Sequence, residues 1–322
     1  MKKILILNTG GTIAMQEGPN GTILKQQLNP LYSTIESLST IASVIVDDYL
    51  NIPSPHMTPY IVVQLAKHMK KRVKEDQLEG IVITHGTDTL EETAYLLDLL
   101  LGWDIPLIVT GAMRSSNELG ADGPHNLISA VKVAACKEAE GKGVLVVLND
   151  EIHTAKNVTK THSSNIATFQ SPQYGPIGIV TKRGVTFHHT LTKRETYNLT
   201  QLNKNVALMK TYTGMDPSII DAIHKTNIDG LVIEAFGQGN VPPELVKPIQ
   251  SLLSNNIAVI LVSRCFSGIV QDIYAYEGGG RTLKELGVIF ANGLNGQKAR
   301  LKLMVVLEQT NDLSQMHALF EQ

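Results

Sequence analysis

The chain opens on a four-residue apolar run, Ile4-Leu5-Ile6-Leu7, that passes directly into Asn8-Thr9-Gly10-Gly11-Thr12-Ile13-Ala14. A short run without polar alternation is the pattern of a strand buried on both faces, as in a parallel sheet covered by helices. The two glycines let the main chain turn sharply and approach a ligand with no Cβ in the way. The hydroxyl of Thr12 then falls at the carboxyl end of the strand, where open α/β sheets hold their ligands. Two readings stand side by side at this point: Thr12 as a nucleophile or part of an anion-binding turn, and Thr12 as an ordinary helix N-cap.

The pattern recurs. Gly80-Ile81-Val82-Ile83-Thr84 leads into His85-Gly86-Thr87-Asp88-Thr89, Pro106 to Thr110 leads into Gly111, and Gly143 to Leu148 forms a further run. Residues 41–52 hold a mixed apolar segment that suits one more strand. Helical patterns lie between these runs. Thr58-Pro59 supplies an N-cap hydroxyl and a proline at the first helical position, with Ile61, Leu65, Met69 and Val73 on one face. A second helix runs through Glu91, Tyr95 and Leu99, and Asp122-Gly123-Pro124 opens a third that reaches to about Glu140. Strands alternating with helices mean βαβ units and a largely parallel sheet.

The chain turns polar after residue 151, and then Ile177 to Val180 and Val185 to Phe187 bracket Lys182-Arg183-Gly184 as a hairpin. Residues 191–205 are polar with no apolar period. Strands are expected again at 206–212, 230–236, 257–262 and 287–291, with helices opening at Asp216-Pro217 and Val241-Pro242. The expected organisation is an N-terminal catalytic α/β domain at 1–190, a linker at 191–210 and a C-terminal α/β domain at 211–322.

Composition excludes several classes. With 43% hydrophobic and 18% charged residues, the chain of 322 residues is globular and long enough for two cores. Its 28 Lys and Arg stand against 30 Asp and Glu, a net charge of −2, so no basic footprint for nucleic acid or an anionic membrane is present. No apolar run approaches the roughly 20 residues of a membrane span. Met1-Lys2-Lys3 and the apolar run after it resemble a leader peptide, but the run is too short and meets Gly-Gly-Thr without a small-residue cleavage site. Cys136 and Cys265 sit far apart in apolar segments, which suggests two buried thiols and a reducing, cytoplasmic compartment.

Phosphate-loop, dinucleotide and paired-cysteine motifs are absent and the histidines are scattered, so neither metal nor cofactor is expected. What remains at the strand ends is a set of hydroxyls, one carboxylate and a lysine: Thr12, Thr87-Asp88-Thr89, and Lys160 in Thr159-Lys160-Thr161. Parallel central strands would bring these loops to one edge of the sheet. Taken singly, Thr87 and Asp88 also read as a helix N-cap, with Glu91-Glu92 following as in a capping box, and Lys160 reads as a solvated charge.

Together, Asn8 to Ala14, His85 to Thr89, Ala121-Asp122-Gly123-Pro124 and Asn157 to Thr161 resemble the bacterial L-asparaginase family, asparaginase/glutaminase type. The similarity runs from Met1 to about Gln309 and includes Gly296-Gln297-Lys298-Ala299-Arg300. It implies a larger N-terminal domain with a flavodoxin-like parallel sheet and a hairpin, and a smaller C-terminal domain with a Rossmann-like parallel sheet. It implies hydrolysis of the side-chain amide of L-asparagine to L-aspartate and ammonia through a threonine acyl-enzyme, without a cofactor. By position, Thr12 matches the nucleophile, and Thr87 with Asp88 and Lys160 matches the second threonine and its activating groups. Ser54 matches the serine that binds the substrate α-carboxylate, and Asp88 also matches the acceptor of the α-ammonium. Asn240 falls where a neighbouring subunit completes the site in a homotetramer built as a dimer of dimers.

The chemistry of a free amino acid fits this casting. Its ammonium needs an acceptor charge, Asp88, and its carboxylate needs donors, Ser54 and the main-chain N–H groups around Gly11 and Gly86. A threonine hydroxyl is a weak nucleophile until a base takes its proton, and a lysine serves only once burial and neighbours favour its neutral form. The chain departs from the family pattern in two places. Pro55 follows Ser54 where many members carry Gln or Glu, and proline offers neither a polar side chain nor an N–H. Residues 13–31 lack the tyrosine that usually stands beside the nucleophile. Either Thr22 takes its place or a tyrosine arrives from elsewhere, Tyr274 being a candidate for a cross-subunit contribution. The loop with Gly18, Pro19, Asn20 and Gly21 has the composition of a lid. Competing readings are the same chemistry on another amide, glutamine or a tRNA-linked one, and a non-catalytic amino-acid sensor that keeps the site.

Overall fold

The computed structural model describes residues 1–18, 20, 22–25, 30–190 and 193–321, with only the main chain at Ile23 and Lys25. The chain divides into two compact units, Met1–Asn198 and Leu199–Gln322.

In the first unit the apolar runs become strands β1 (Lys3–Asn8), β2 (Ser43–Asp47), β3 (Gly80–Thr84), β4 (Leu107–Thr110) and β5 (Val144–Leu148), all parallel. Three antiparallel strands follow, β6 (Glu151–Thr154), β7 (Gly178–Thr181) and β8 (Gly184–Phe187). Among the described residues the sheet runs β8-β7-β6-β5-β4-β3-β1-β2, so β1 and β3 are interior neighbours. On one face Ile4, Ile6, Val82, Ile108 and Leu145 pack with Leu127, Ala130, Val131 and Ala134 of the helix Gly123–Ala135. Leu5, Leu7, Ile81, Ile83, Val109 and Val146 are equally buried on the other face. Burial on both sides is why these strands read as unbroken apolar runs.

Helix starts follow their local chemistry. The Thr58 hydroxyl accepts the Ile61 N–H at 3.3 Å at the head of the helix Pro59–Asp76. The helix at Gly123 stops at Ala135 rather than near Glu140, and a separate short turn, Lys137–Ala139, follows an extended Cys136. The β5–β6 hairpin was not foreseen. Asn149 and Asp150 both take positive φ, +50° and +63°, which is the two-residue turn that matches strand twist. Residues 177–187 do form the expected hairpin, with Thr181 paired to Gly184.

The polar stretch expected as linker behaves differently at its two ends. Leu191 and Thr192 lie outside the described residues. Residues 194–197 strap back onto the first unit: Arg194 donates to Gly141 O and Leu101 O and pairs with Asp98, and the Tyr197 N–H donates to Leu99 O. At the other end β9 (Val206–Lys210) already belongs to the second sheet. That sheet is parallel, in the order β9-β10-β11-β12, with β10 (Gly230–Ala235), β11 (Ala258–Ser263) and β12 (Ile289–Phe290). Leu231, Ile233, Val259 and Leu261 pack on one face with Ile249, Leu252 and Leu283, and the helix Gly296–Gln309 covers the other face.

The expectation of two buried thiols is overturned. Cys136 is half-buried at a helix C-cap, where its thiol donates to Glu138, and Cys265 is exposed in the loop beyond β11. Both are free thiols. Among the described residues no helix is long and apolar enough to cross a membrane.

Candidate active site

The site grows from the carboxyl ends of β1 and β3. Thr9 donates twice to the Thr84 carbonyl, through its N–H at 3.1 Å and its hydroxyl at 2.8 Å, and Thr84 donates its hydroxyl to Asn8 Oδ1 at 2.8 Å. These buried neutral bonds bring the two following turns together. Gly11 has φ +87°, and a Cβ there would lie 2.2 Å from Gly86 Cα. The turns therefore meet main chain against main chain, which only glycine permits. A Cβ on Gly86 would in turn fall 2.8 Å from Ser54 Cβ and Oγ. Gly11, Gly86 and Ser54 thus form one tight contact.

Thr12 heads a single 3₁₀ turn, Thr12–Ala14, whose N-cap is Gly11 with no side-chain cap bond. The N-cap reading of Thr12 fails on this geometry. The residue is half-buried and, among the described residues, its hydroxyl has no hydrogen-bond partner. After it, Met15–Glu17 and Ile23–Lys25 form a short hairpin with Thr22 near its tip. The hairpin is tied down by Ser116, which donates its N–H and hydroxyl to Met15 O, and by Asn117, which bonds the Glu17 main chain in both directions. Of the lid-like residues, Pro19 and Gly21 lie outside the described set.

Thr87 is wired. Its hydroxyl oxygen accepts from Lys160 Nζ at 3.0 Å, and Nζ also pairs with Asp88 Oδ1 at 2.8 Å. The Lys160 side chain is 15% exposed and that of Asp88 is 63% exposed, so the carboxylate faces outward, open to a cationic ligand group. Ser54 Oγ accepts the Asp88 N–H at 3.2 Å, which leaves the serine proton for an anionic ligand. Among the described residues the N–H groups of Gly11, Gly86 and Thr87 meet no protein acceptor.

The capping-box reading of the second turn fails as well. The helix Leu90–Leu100 has Thr89 as N-cap without a cap bond; Thr89 donates its hydroxyl to Ser54 O at 2.8 Å instead. Glu91 is buried and accepts from the Thr159 hydroxyl at 2.9 Å and the Lys160 N–H at 3.2 Å. Lys160 stands not on an open loop but on a two-residue strand, Thr159–Lys160, paired with Phe169–Gln170. Below the turn, His85 is fully buried, with Nδ1 against Gly86 O at 2.7 Å and Nε2 against the Thr93 hydroxyl at 3.0 Å. Burial pushes its pKa down to about 4, against a smaller upward pull from the Gly86 carbonyl. The neutral ring donates to Gly86 and accepts from Thr93, a structural role.

Sequence reading missed Glu91 and Asp122 as holders of this region. The Asp122 carboxylate accepts from the Met113 and Arg114 N–H groups and from Asn126 Nδ2, fixing the loop after β4 instead of capping its own helix. Neither role has a local signal, because the partners are brought in by the sheet. Asn240 and Tyr274 belong to the second unit. Asn240 follows β10 and accepts the Gly280 N–H through Oδ1 at 3.3 Å, and Tyr274 is exposed with its ring tilted against Tyr276.

Two hydroxyls on abutting strand-end turns, one beside a lysine and a carboxylate, define a hydroxyl-nucleophile site suited to acyl transfer. The chain belongs to the asparaginase family: the asparaginase N-terminal domain matches residues 3–193, and the glutaminase/asparaginase C-terminal domain matches residues 205–320. It is 38% identical to a probable L-asparaginase of Deinococcus radiodurans over 95% of this chain and 93% of that one. It is 35% identical to L-asparaginase 2 of Bacillus subtilis over 100% and 87%. A crystal structure of a probable cytoplasmic L-asparaginase from Campylobacter jejuni superposes with a TM-score of 0.89 at 33% identity, covering all of both chains.

Proposed function

We propose that this chain hydrolyses the side-chain amide of L-asparagine to L-aspartate and ammonia, with Thr12 as nucleophile. The observation that carries the reading is the Thr87–Lys160–Asp88 triangle set against the Thr12 turn through the Gly11–Gly86 contact. The Thr12 oxygen attacks the amide carbonyl carbon, its proton passes to the leaving nitrogen, and the C–N bond breaks to release ammonia and leave an ester on Thr12. Thr87 and Lys160 carry the proton between these steps. Water then attacks the ester, returns the proton to the Thr12 oxygen and frees aspartate. Asp88 takes the substrate ammonium, and Ser54 with the Gly11 and Gly86 N–H groups takes its α-carboxylate.

In this reading the enzyme works in the cytoplasm as a dimer of dimers, and Asn240 and Tyr274 complete the site of a neighbouring subunit. The test is ammonia release over a range of asparagine and glutamine concentrations. Turnover with a clearly higher kcat/KM for asparagine is expected. Binding of either amino acid with no ammonia released would replace the enzyme by a sensor. Equal kcat/KM for glutamine would widen the substrate class.

A further inference from the structure

We propose that Glu91 is the positioning residue that sets Lys160 against Thr87, a role that rests on the function proposed above. Thr87 and Asp88 come from the turn after β3, while Lys160 comes from a strand 72 residues beyond Asp88. Something must hold that strand in place relative to the turn, because a lysine on a four-carbon stem has many rotamers and little intrinsic precision. Glu91 lies in the first helical turn after Thr89, so its main chain is rigidly continuous with Thr87 and Asp88. The residue is 5% exposed, and one carboxylate oxygen, Oε1, accepts both the Lys160 N–H and the hydroxyl of the preceding Thr159. The carboxylate therefore grips Lys160 at its main chain while Thr87 and Asp88 receive its Nζ. Two anchors, at the root and the tip of the side chain, both trace back to residues 87–91.

This grip is separate from fold stability in a way that kinetics can read. A carboxylate that only helped hold the helix would alter melting temperature and leave turnover per folded molecule unchanged. A positioning residue alters kcat, because a displacement of about 1 Å in a catalytic group costs up to about 10²-fold. It should change KM less than kcat, because Ser54 and the Gly11 and Gly86 N–H groups hold the substrate carboxylate without Lys160.

The experiment is steady-state ammonia release from L-asparagine, normalised to folded protein, for the wild type, Glu91→Ala, Glu91→Gln, Lys160→Met and the double variant Glu91→Ala/Lys160→Met. Glu91→Ala is expected to lower kcat about 10- to 100-fold with KM changed by less than about 3-fold. Glu91→Gln keeps a carbonyl oxygen as acceptor for both donors and is expected to restore most of kcat. Adding Glu91→Ala to Lys160→Met should cause little further loss, because both act on one group. Should Glu91→Ala not fold, Thr159→Val removes one donor to the same oxygen and is expected to lower kcat in the same direction by a smaller factor.

Wild-type kcat in folded Glu91→Ala overturns the proposal. So does a Glu91→Gln variant as slow as Glu91→Ala, or a full additional loss on the Lys160→Met background. Wild-type turnover in Lys160→Met alone instead removes Lys160 from the mechanism, and Glu91 falls with it. That outcome marks a failure of the underlying reading rather than of the positioning step.

Discussion

The two turns that meet at Gly11 and Gly86 carry the same functional group in opposite states. On the second, Thr87 sits 3.0 Å from an ammonium that is itself paired with Asp88, and its neighbours are pinned by Ser54 and Glu91. On the first, Thr12 is held by its main chain alone, in a 3₁₀ turn three residues long, and its hydroxyl has no partner among the described residues. The wired hydroxyl has a proton path and a fixed rotamer environment. The unwired one has freedom to change direction, which a nucleophile needs if it attacks, becomes an ester and is released. Under the proposed function the difference fits complementary duties for two residues of one type, Thr87 managing protons and Thr12 making and breaking the covalent bond.

Removing each hydroxyl in turn is the strongest test of that division. Thr12→Ala is expected to lower kcat by about 10⁴-fold or more, since no covalent route remains, while circular dichroism and melting temperature stay close to wild type. Thr87→Val and Lys160→Met should each cost about 10²- to 10⁴-fold, the range of general acid–base catalysis, and combining them should add little. If mass spectrometry of a slow-turnover mixture found the acyl group on Thr87 instead of Thr12, the two duties would have to be exchanged.

The contact that joins the turns is the next place to strike. Gly11→Ala brings a methyl group to within 2.2 Å of Gly86 Cα in a conformation, φ +87°, that side chains rarely adopt. The turns must separate, and a shift on the scale of an ångström is expected to lower kcat/KM by about 10²-fold. A kcat/KM within about 3-fold of wild type would mean that the spacing of the two turns does not matter to the chemistry.

How far the sequence speaks to all this divides along the same line as the physics. The strands β1, β3, β4 and β5 were legible because burial on both faces forces unbroken apolar runs, and Gly10-Gly11 and Gly86 were legible because close approach demands glycine. The polar partners were not. Local rules made Thr87 and Asp88 a helix N-cap with Glu91-Glu92 as its capping box, yet the helix takes Thr89 as N-cap, Thr89 bonds Ser54, and Glu91 bonds residues 68 and 69 positions away. Asp122 likewise abandons its own helix for the loop at Met113 and Arg114. A polar side chain near a helix start has several acceptable partners within reach, and tertiary packing chooses among them. The apolar surroundings of Cys136 and Cys265 misled in a similar way: both fall just past the end of an element, where the chain emerges at the surface.

The smallest effect concerns what lies beneath each turn. Under the Thr87 turn is His85, fully buried and held neutral, with its pKa lowered to about 4. Under the Thr12 turn the buried contacts are the neutral groups of Asn8, Thr9 and Thr84. An unfolded histidine titrates near 6.5, so between pH 6.5 and 4 the unfolded chain binds the proton that the folded chain refuses. The stability contributed by the neutral ring is fully present above pH 6.5 and is lost as pH falls towards 4, about 3 kcal/mol in all at 1.36 kcal/mol per pKa unit. His85→Gln is therefore expected to flatten the fall in urea-unfolding free energy between pH 7 and 4.5 relative to wild type. Hydrogen exchange sharpens the comparison between the turns: on acidification, the bonded amides of His85 and Asp88 should lose protection before those of Thr9 and Ala14, and only in the protein that retains His85. Parallel pH curves for the two proteins would show that the ring accepts its proton without disturbing the turn above it, leaving the Gly86 carbonyl held by something other than a neutral imidazole.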